Sequence, residues 1–344
     1  MHIKLRKRLF YMPSDDNEKE DEMEQMQIPI SKLSREVEIT SAELNMNLSE
    51  HEYTIPTDAF GGIEFVSFSV KKAEFVRVDS KTDTSTILEL MTNVWEKQKP
   101  NLLISVTGGA DNCSIETELI DAFKYELIKA ANSTDAWIMT GGTHTGVAKH
   151  VGEAAEYYGL TTTNPKCAII GIAPWGVIRN RQVLVNEKGS WPAEYDLETE
   201  EIQNEKDSFL DPNHSHFILI DDGTEHEYNT ELSFRAKLER KISEITINKE
   251  DANVDQINLG SVVSGVPTVL MVLEGGPGTL KTVENALKEN TPVVIIKGSG
   301  RAADLLAYAL EYESDDEDDQ GDKSMNEVLE TEIRKQLKDM LCSG

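Results

Sequence analysis

The feature that most restricts the possible folds is a repeated unit: a short, wholly apolar run, a glycine turn, then an amphipathic stretch. NLLISVTGG ends in Gly108-Gly109 and precedes ETELIDAFKYELIKAAN, while DAWIMTGGTHTG ends its apolar run at Gly141-Gly142 and precedes GVAKHVGEAAEYY. KCAIIGIAPWG, HFILIDDGT, VPTVLMVLEGGPG and TPVVIIKGSGR are further runs of the same kind, the last followed by AADLLAYALEYE. A strand that is apolar at nearly every position is buried on both faces, which is the pattern of parallel sheets. Alternation with helices predicts right-handed βαβ crossovers, hence an α/β fold with a doubly wound, mostly parallel, Rossmann-like sheet in two lobes. Upstream, IEFVSFSVKKAEFVRV alternates as a strand pair, and TSTILELMTNVWEKQ places Ile87, Leu88, Met91, Val94 and Trp95 on one helical face.

The segments between these units set the expected boundaries. Residues 1–56 are polar and read as a largely flexible amino-terminal segment, 57–312 as the α/β domain, 313–324 as an acidic linker (ESDDEDDQGDKS), and 325–344 as the start of a following helical region. VNEKGSWPAEYDLETEEIQNEKDSFLDPN is an acidic insertion long enough that a functional or mobile role is expected.

Charge and cysteine content narrow the function classes. The chain of 344 residues carries 62 acidic against 34 basic side chains, a formal charge of −28. Such a surface repels a nucleic-acid backbone, so nucleic acid is excluded as a partner, and an anionic ligand needs a few placed arginines and backbone amides. Cys113, Cys167 and Cys342 follow no metal-binding spacing and read as free thiols of a reducing compartment. No apolar run reaches the ~18–20 residues of a membrane span and no secretory leader is expected, so a cytosolic, soluble piece without direct membrane insertion is expected.

Strand ends at TGGA, TGGTHTG, EGGPGT and KGSGR converge where open α/β sheets bind ligands, with helix amino termini offering unpaired N–H groups to a phosphate. No Gly-Lys-Ser/Thr or GxGxxG pattern is present, which weakens P-loop and dehydrogenase readings. Among the histidines, His214 and His216 are expected on one strand face, and solvent-exposed or capping roles are expected for them and for His144 and His150. Asp221-Asp222 reads as a turn cap before Gly223. Glu231, Arg235 and Glu239 share a helical stripe that an exposed, ion-paired face explains, although Tyr228 and Arg235 also lie soon after a strand end, where a ring and a guanidinium could meet a base and a phosphate. Trp175 lies at a strand end and reads as a core residue by type. Arg301 follows the GSG turn at a helix amino terminus, opposing the helix dipole, so an anion is expected beside it: a ligand group or a neighbouring carboxylate.

Taken together, TDAFGGIEF, NLLISVTGGA, AWIMTGGTHTGVAKHVGEA, APWGVIRNR, HFILIDDGT, LEGGPGTLKTVENAL and GSGRAADLLAYA, in order from Thr57 to Glu311, resemble the amino-terminal homology region of melastatin-type transient receptor potential (TRPM) cation channels. That region is similar to the SLOG superfamily, which includes LOG-type hydrolases, and the resemblance is nearest to the ADP-ribose-gated subgroup. It implies a cytosolic ligand-sensing domain of a tetrameric, calcium-conducting channel at the plasma membrane, with ADP-ribose as ligand and no enzyme cofactor or metal. Tyr228 then matches the family's base-stacking tyrosine, and Arg235 and Arg301 its two ligand arginines. Thr107, Gly108, Gly109, Trp175, Gly275, Gly276, Gly278 and Thr279 are further expected ligand contacts. LOG-type hydrolases carry PGGxGTxxE; here Glu274 stands at the proline position, Thr282 at the glutamate position, and Glu284 comes two residues late. Binding without hydrolysis is therefore expected. The other two readings are a LOG-like nucleotide phosphoribohydrolase and an assembly domain without ligand.

Overall fold

The computed structural model describes residues 57–66, 71–109, 115–185, 192–198, 204–247 and 264–316. The apolar runs become the strands β1 (Phe60–Phe65), β2 (Lys71–Asp79), β3 (Leu103–Gly108), β4 (Trp137–Thr140), β5 (Ala168–Pro174), β7 (His216–Asp221), β10 (Thr268–Leu273) and β11 (Val293–Ile295). With β6 (Ala193–Tyr195) they form one nine-stranded sheet in the order β11-β10-β3-β4-β5-β7-β2-β1-β6. Every pairing is parallel except β1 with β2. The sheet is continuous from β11 to β6. A separate two-stranded ladder joins β8 (Thr246–Ile247) to β9 (Ser264–Gly265).

Helices cover both faces, as the apolar strands require. On one face α1 (Thr84–Glu89), prolonged by a π turn over Leu90–Val94, and α5 (Leu232–Ser243) pack on Val76, Val78, Leu103, Met139, Ile170 and Ile218. On the other, α2 (Thr117–Thr134) and α3 (Gly146–Tyr157) pack on Ile104, Val106, Ile138 and Ile169. Odd and even residues of β3 thus feed different layers, the period of two that a strand imposes. The short α4 (Leu160–Thr163) follows α3. On β10, Leu270 and Val272 meet Val283 and Ala286 of α6 (Pro277–Lys288) and Ala303 of α7 (Arg301–Asp316).

The path of the chain creates one place where winding reverses. From β3 it proceeds through α2 to β4; from β10, on the other side of β3, it proceeds through α6 away to β11. The two strands pair from Thr268↔Leu103 to Leu273↔Gly108, and beyond their carboxyl ends the loops diverge. A crevice at such a switch point is where doubly wound sheets hold ligands.

Two boundaries differ from expectation. The acidic run expected as linker from Glu313 is helical through Asp316, because α7 continues to that residue. The acidic insertion is more than a loop: it contributes β6, which pairs with β1, and its end docks through a bridge between Ile178 and Ser208. Residues 1–56, the stretch from 317 to 344, Cys113 and Cys342 lie outside the described residues. Among the described residues, Cys167 is a buried free thiol, and no helix is long and apolar enough to cross a membrane.

Candidate functional site

At the end of β10 the chain reverses through Glu274 and Gly275, both with positive φ (50° and 94°), and Gly276 then caps α6 with Pro277 in the first turn. Helices begin at this rim after several strands, and they differ in how their first amides are satisfied. At α7, the N–H groups of Ala302 and Ala303 donate to the carbonyls of Gly275 (3.2 Å) and Glu274 (3.0 Å). At α3, the amide of Val147 donates to Gly109 O at 2.9 Å. The start of α7 is thus satisfied by protein carbonyls, and that of α3 in part. At α6 no side chain caps the helix, Pro277 has no N–H, and the first backbone bond is Leu280 N to Gly276 O (3.2 Å). The amides of Gly278 and Thr279 precede it and have no protein partner among the described residues. An uncapped helix start of this kind carries positive partial charge and free donors.

Arg301 stands directly over it. A β-carbon on Gly276 would meet only Nη2 of Arg301, at 3.4 Å. Arg301 is exposed and has no ion-pair partner among the described residues, so the neighbouring carboxylate that could have explained it is not there. Its backbone has φ 44°, strained for a residue with a β-carbon. Glu274, Asn229 (φ 70°), His226 (φ 61°) and Asn180 (φ 55°) share this property, so five such non-glycine residues lie in the loops that follow strand ends of one rim. Strain of that kind, about 1–3 kcal/mol per residue, clusters at functional sites.

The glycines divide by what demands them. On Gly108 a β-carbon would collide with the Leu273 carbonyl and the Val147 side chain, because β3 and β10 lie edge to edge there. Gly275 would strike Thr279, and Gly278 would strike the amide of Asn229. Packing alone therefore requires these three. Gly276 faces open space bounded by Arg301, the one glycine of the turn whose missing side chain leaves room for a ligand. Thr279 donates through Oγ1 to Gly108 O at 3.2 Å, tying the α6 start to the end of β3, where Thr107 and Gly109 complete the rim.

Arg235 is placed differently from the exposed, ion-paired face expected of its stripe. Glu231, Arg235 and Glu239 are all buried, with Arg235 only 3% exposed, because this side of α5 faces the sheet. Pairing between β3 and β4 stops at Ser105↔Met139, and the strands part. Arg235 fills the opening: Nε donates to Glu239 Oε1 (2.9 Å), and Nη2 to Ser105 Oγ (2.7 Å), Val106 O (3.0 Å) and Met139 O (3.1 Å). Ser105 completes the ring by donating to Glu239 Oε1 at 2.5 Å. Nη1 alone keeps no protein partner among the described residues. Sequence reasoning missed this network, and the only available signal was Ser105, a polar residue inside an apolar strand.

Tyr228 and Asn229 lie on the loop between β7 and α5. Asn229 abuts Gly278 on the first turn of α6, which brings this loop to the crevice. Tyr228 is half-buried beside the cluster that contains Trp175, and its hydroxyl is bonded to Lys206 O and Ser208 Oγ. Trp175 is a buried core residue, as its type suggests, with the Arg77 guanidinium 4.8 Å over its ring. Asp221 and Asp222 cap the turn as expected, accepting from the amides of Gly223 (3.0 Å) and Thr224 (3.1 Å).

His214 and His216 depart from their expected roles. His214 precedes β7 and stacks on Phe217, whereas His216 lies in the strand against Trp95 in the opposite layer, so the two share no face. His214 is buried between Thr140 Oγ1 (2.7 Å) and Asp211 Oδ1 (3.0 Å), and Asp211 also takes His144 at 2.7 Å. Asp211 is fully buried; burial pushes its carboxyl up, but the bonds from His144 and His214 outweigh that and hold it low. Among the described residues no group of three potential ligands is arranged to hold a metal ion.

Glu231 stands at the N-cap position of α5 without a side-chain capping bond, one carboxylate oxygen buried and, among the described residues, unpartnered, as is the hydroxyl of Thr230. Burial pushes its carboxyl up to about 7, against backbone hydrogen bonds and the pull of Arg235. The folded chain therefore holds a proton that the unfolded chain releases near pH 4.5, so this group's contribution is complete below that pH and is lost as pH rises through about 7. Glu231→Gln is expected to flatten the decline between these limits and to raise stability above pH 7, by at most on the order of 3 kcal/mol. Urea melts of both proteins at pH 4.5 and pH 8 check this; equal differences at both pH values would refute it.

The carboxylate nearest the hydrolase position is disengaged. Glu284 is solvent-exposed, and the hydrogen bonds and charges of Lys281 and Lys288 hold it at about 2. Thr282, at the motif position itself, is buried and bonded back to Gly278 O at 3.0 Å.

Comparison with known proteins gives a consistent result. A family model described as "SLOG in TRPM" matches residues 73–341. The chain is 47% identical over 260 residues to the mouse "Transient receptor potential cation channel subfamily M member 2", covering 75% of the chain and 16% of that relative. It is 42% identical over 260 residues to the "member-like 2" protein of Nematostella vectensis, with the same coverage. To rat "subfamily M member 4" it is 37% identical over 266 residues, covering 77% of the chain and 21% of the relative. The matched stretch thus spans about a sixth to a fifth of these relatives' length.

Proposed function

Because the chain belongs to the family of SLOG domains found in TRPM channels, we propose that it is the ligand-sensing part of such a channel, binding ADP-ribose or a related adenine nucleotide between β3 and β10. The observation that carries this reading is the Arg301 guanidinium, unpaired among the described residues, over the uncapped start of α6. Two like-signed electrostatic features adjoin in a chain of formal charge −28. A diphosphate satisfies both: it accepts the free amides of Gly278 and Thr279 and forms charge-assisted bonds with the guanidinium. Tyr228 offers a ring to the base, and Arg235 a buried positive charge behind the strand ends.

Binding biases the channel only through different affinities for its closed and open states. The ligand bridges the loops after β3, β7, β10 and β11, so a state in which they converge is favoured. The domain acts on the cytosolic side of the plasma membrane, joined to the rest of a tetramer. Neither Thr282 nor Glu284 offers a carboxylate to a bound ribose, which supports binding without hydrolysis.

Calorimetry and thermal melts with ADP-ribose, cyclic ADP-ribose, AMP, ATP and NAD test the proposal. ADP-ribose is expected to bind and, at a hundred times its Kd, to stabilise the fold by about 2.7 kcal/mol. No free base or ribose 5-phosphate is expected on prolonged incubation. Absence of both heat and a melting shift with every compound would refute the sensor reading, and turnover would favour the hydrolase.

A further inference from the structure

We propose that the end of the acidic insertion, residues 204–211, belongs to the ligand site: Asp207 and Ser208 are positioning residues that fix the Tyr228 ring for a planar base. This rests on the nucleotide-binding reading above, and its own support is geometric. The segment is docked by backbone bonds on either side of Ser208, from Ser208 N to Val177 O (2.9 Å) and from Arg179 N to Ser208 O (3.0 Å).

From that anchored position, three consecutive residues grip the loop that carries Tyr228. Tyr228 Oη donates to Lys206 O at 2.7 Å. A phenol has one proton, so in its 2.8 Å contact with Ser208 the serine hydroxyl is the donor. Asp207, only 8% exposed, receives the His226 ring Nδ1 on both oxygens, at 2.8 and 2.9 Å. His226 has a left-handed backbone (φ 61°), a conformation that surrounding contacts must hold in place. Its amide donates to Gly176 O (3.1 Å), which also accepts Arg181 Nη1 (2.7 Å), while Arg181 Nη2 reaches Glu225 at 3.0 Å.

The loop is therefore clamped between the insertion and the turn after β5, with the hydroxyl of the half-buried Tyr228 pinned. One residue further, Asn229 touches the first turn of α6. A ring already immobilised loses little freedom on stacking, which raises affinity without any new contact to the ligand. The insertion thus sets how strongly the cleft favours ligands that carry a base.

Calorimetry with ADP-ribose on the folded domain tests this with Asp207→Asn, Ser208→Ala, Tyr228→Phe, Arg301→Ala and the double variants. Asp207→Asn and Ser208→Ala are each expected to weaken binding about five- to tenfold, the range of one or two lost hydrogen bonds. Ser208→Ala should add nothing in the Tyr228→Phe background, yet add its full effect to Arg301→Ala, a pattern that a general structural defect would not produce. Tight wild-type binding unchanged by both single variants, or equal losses in every background, would overturn the positioning role while leaving the sensor reading intact. No binding by the wild type would overturn both.

Discussion

Arg235→Met is expected to cost the fold about 3–5 kcal/mol, the range for removing one partner of a buried ion pair. For a domain of this size that lowers the melting temperature by roughly 6–20 °C. The loss has two parts. Glu239 is left inside the protein with Ser105 as its bonding partner among the described residues, and the carbonyls of Val106 and Met139 lose their donor where β3 and β4 part. The double variant Arg235→Met/Glu239→Leu separates these parts. It relieves the stranded carboxylate and is expected to recover a portion of the loss, while the unpaired carbonyls keep it below the wild type. Thermal and urea denaturation of both variants make the check, and a wild-type melting point for Arg235→Met would show that the guanidinium contributes nothing net. The consequence for binding studies is direct: weak ADP-ribose binding by an Arg235 variant reports on folding before it reports on contact.

Arg301→Ala is expected to do the reverse, weakening ADP-ribose binding about 10- to 100-fold, the effect of losing a charge-assisted contact, with little change in melting temperature. The side chain is exposed and pairs with no carboxylate among the described residues, so its removal strands nothing. Its effect should shrink as salt rises, since the guanidinium lies near bulk solvent. Calorimetry at low and high ionic strength reads both features. An affinity within twofold of the wild type would remove Arg301 from the site and, with it, the main support for a diphosphate at the start of α6. The opposite behaviours expected of the two arginines follow from their surroundings alone, because the two side chains are chemically identical.

The order of strands and helices was legible in the sequence because it is encoded locally. Periods of 2 and 3.6, apolar runs and glycine turns are read off consecutive residues. That reading located the parallel sheet, both faces of its core, the turn at Asp221-Asp222 and the loops that meet at the crevice. The β6 strand escaped because three residues within an acidic insertion carry too short a pattern. The continuation of α7 to Asp316 escaped because a charged run looks like linker whether or not the preceding helix carries on.

What the chain determined by itself is the layered α/β framework and the convergence of four glycine-ended strands, since both depend on contacts between near neighbours and on the burial of apolar faces. Only the tertiary structure sorted the polar residues. The Glu231, Arg235 and Glu239 stripe has the same helical spacing whether it faces water or a sheet; the gap between β3 and β4, with its free carbonyls, turned it inward. Likewise, adjacent glycines in one turn look alike in sequence, yet Gly275 and Gly278 are required by Thr279 and Asn229, and Gly276 opens toward Arg301. Charge and backbone freedom are local properties of a residue, but whether they are spent on the protein or left for a ligand depends on atoms brought close from distant parts of the chain.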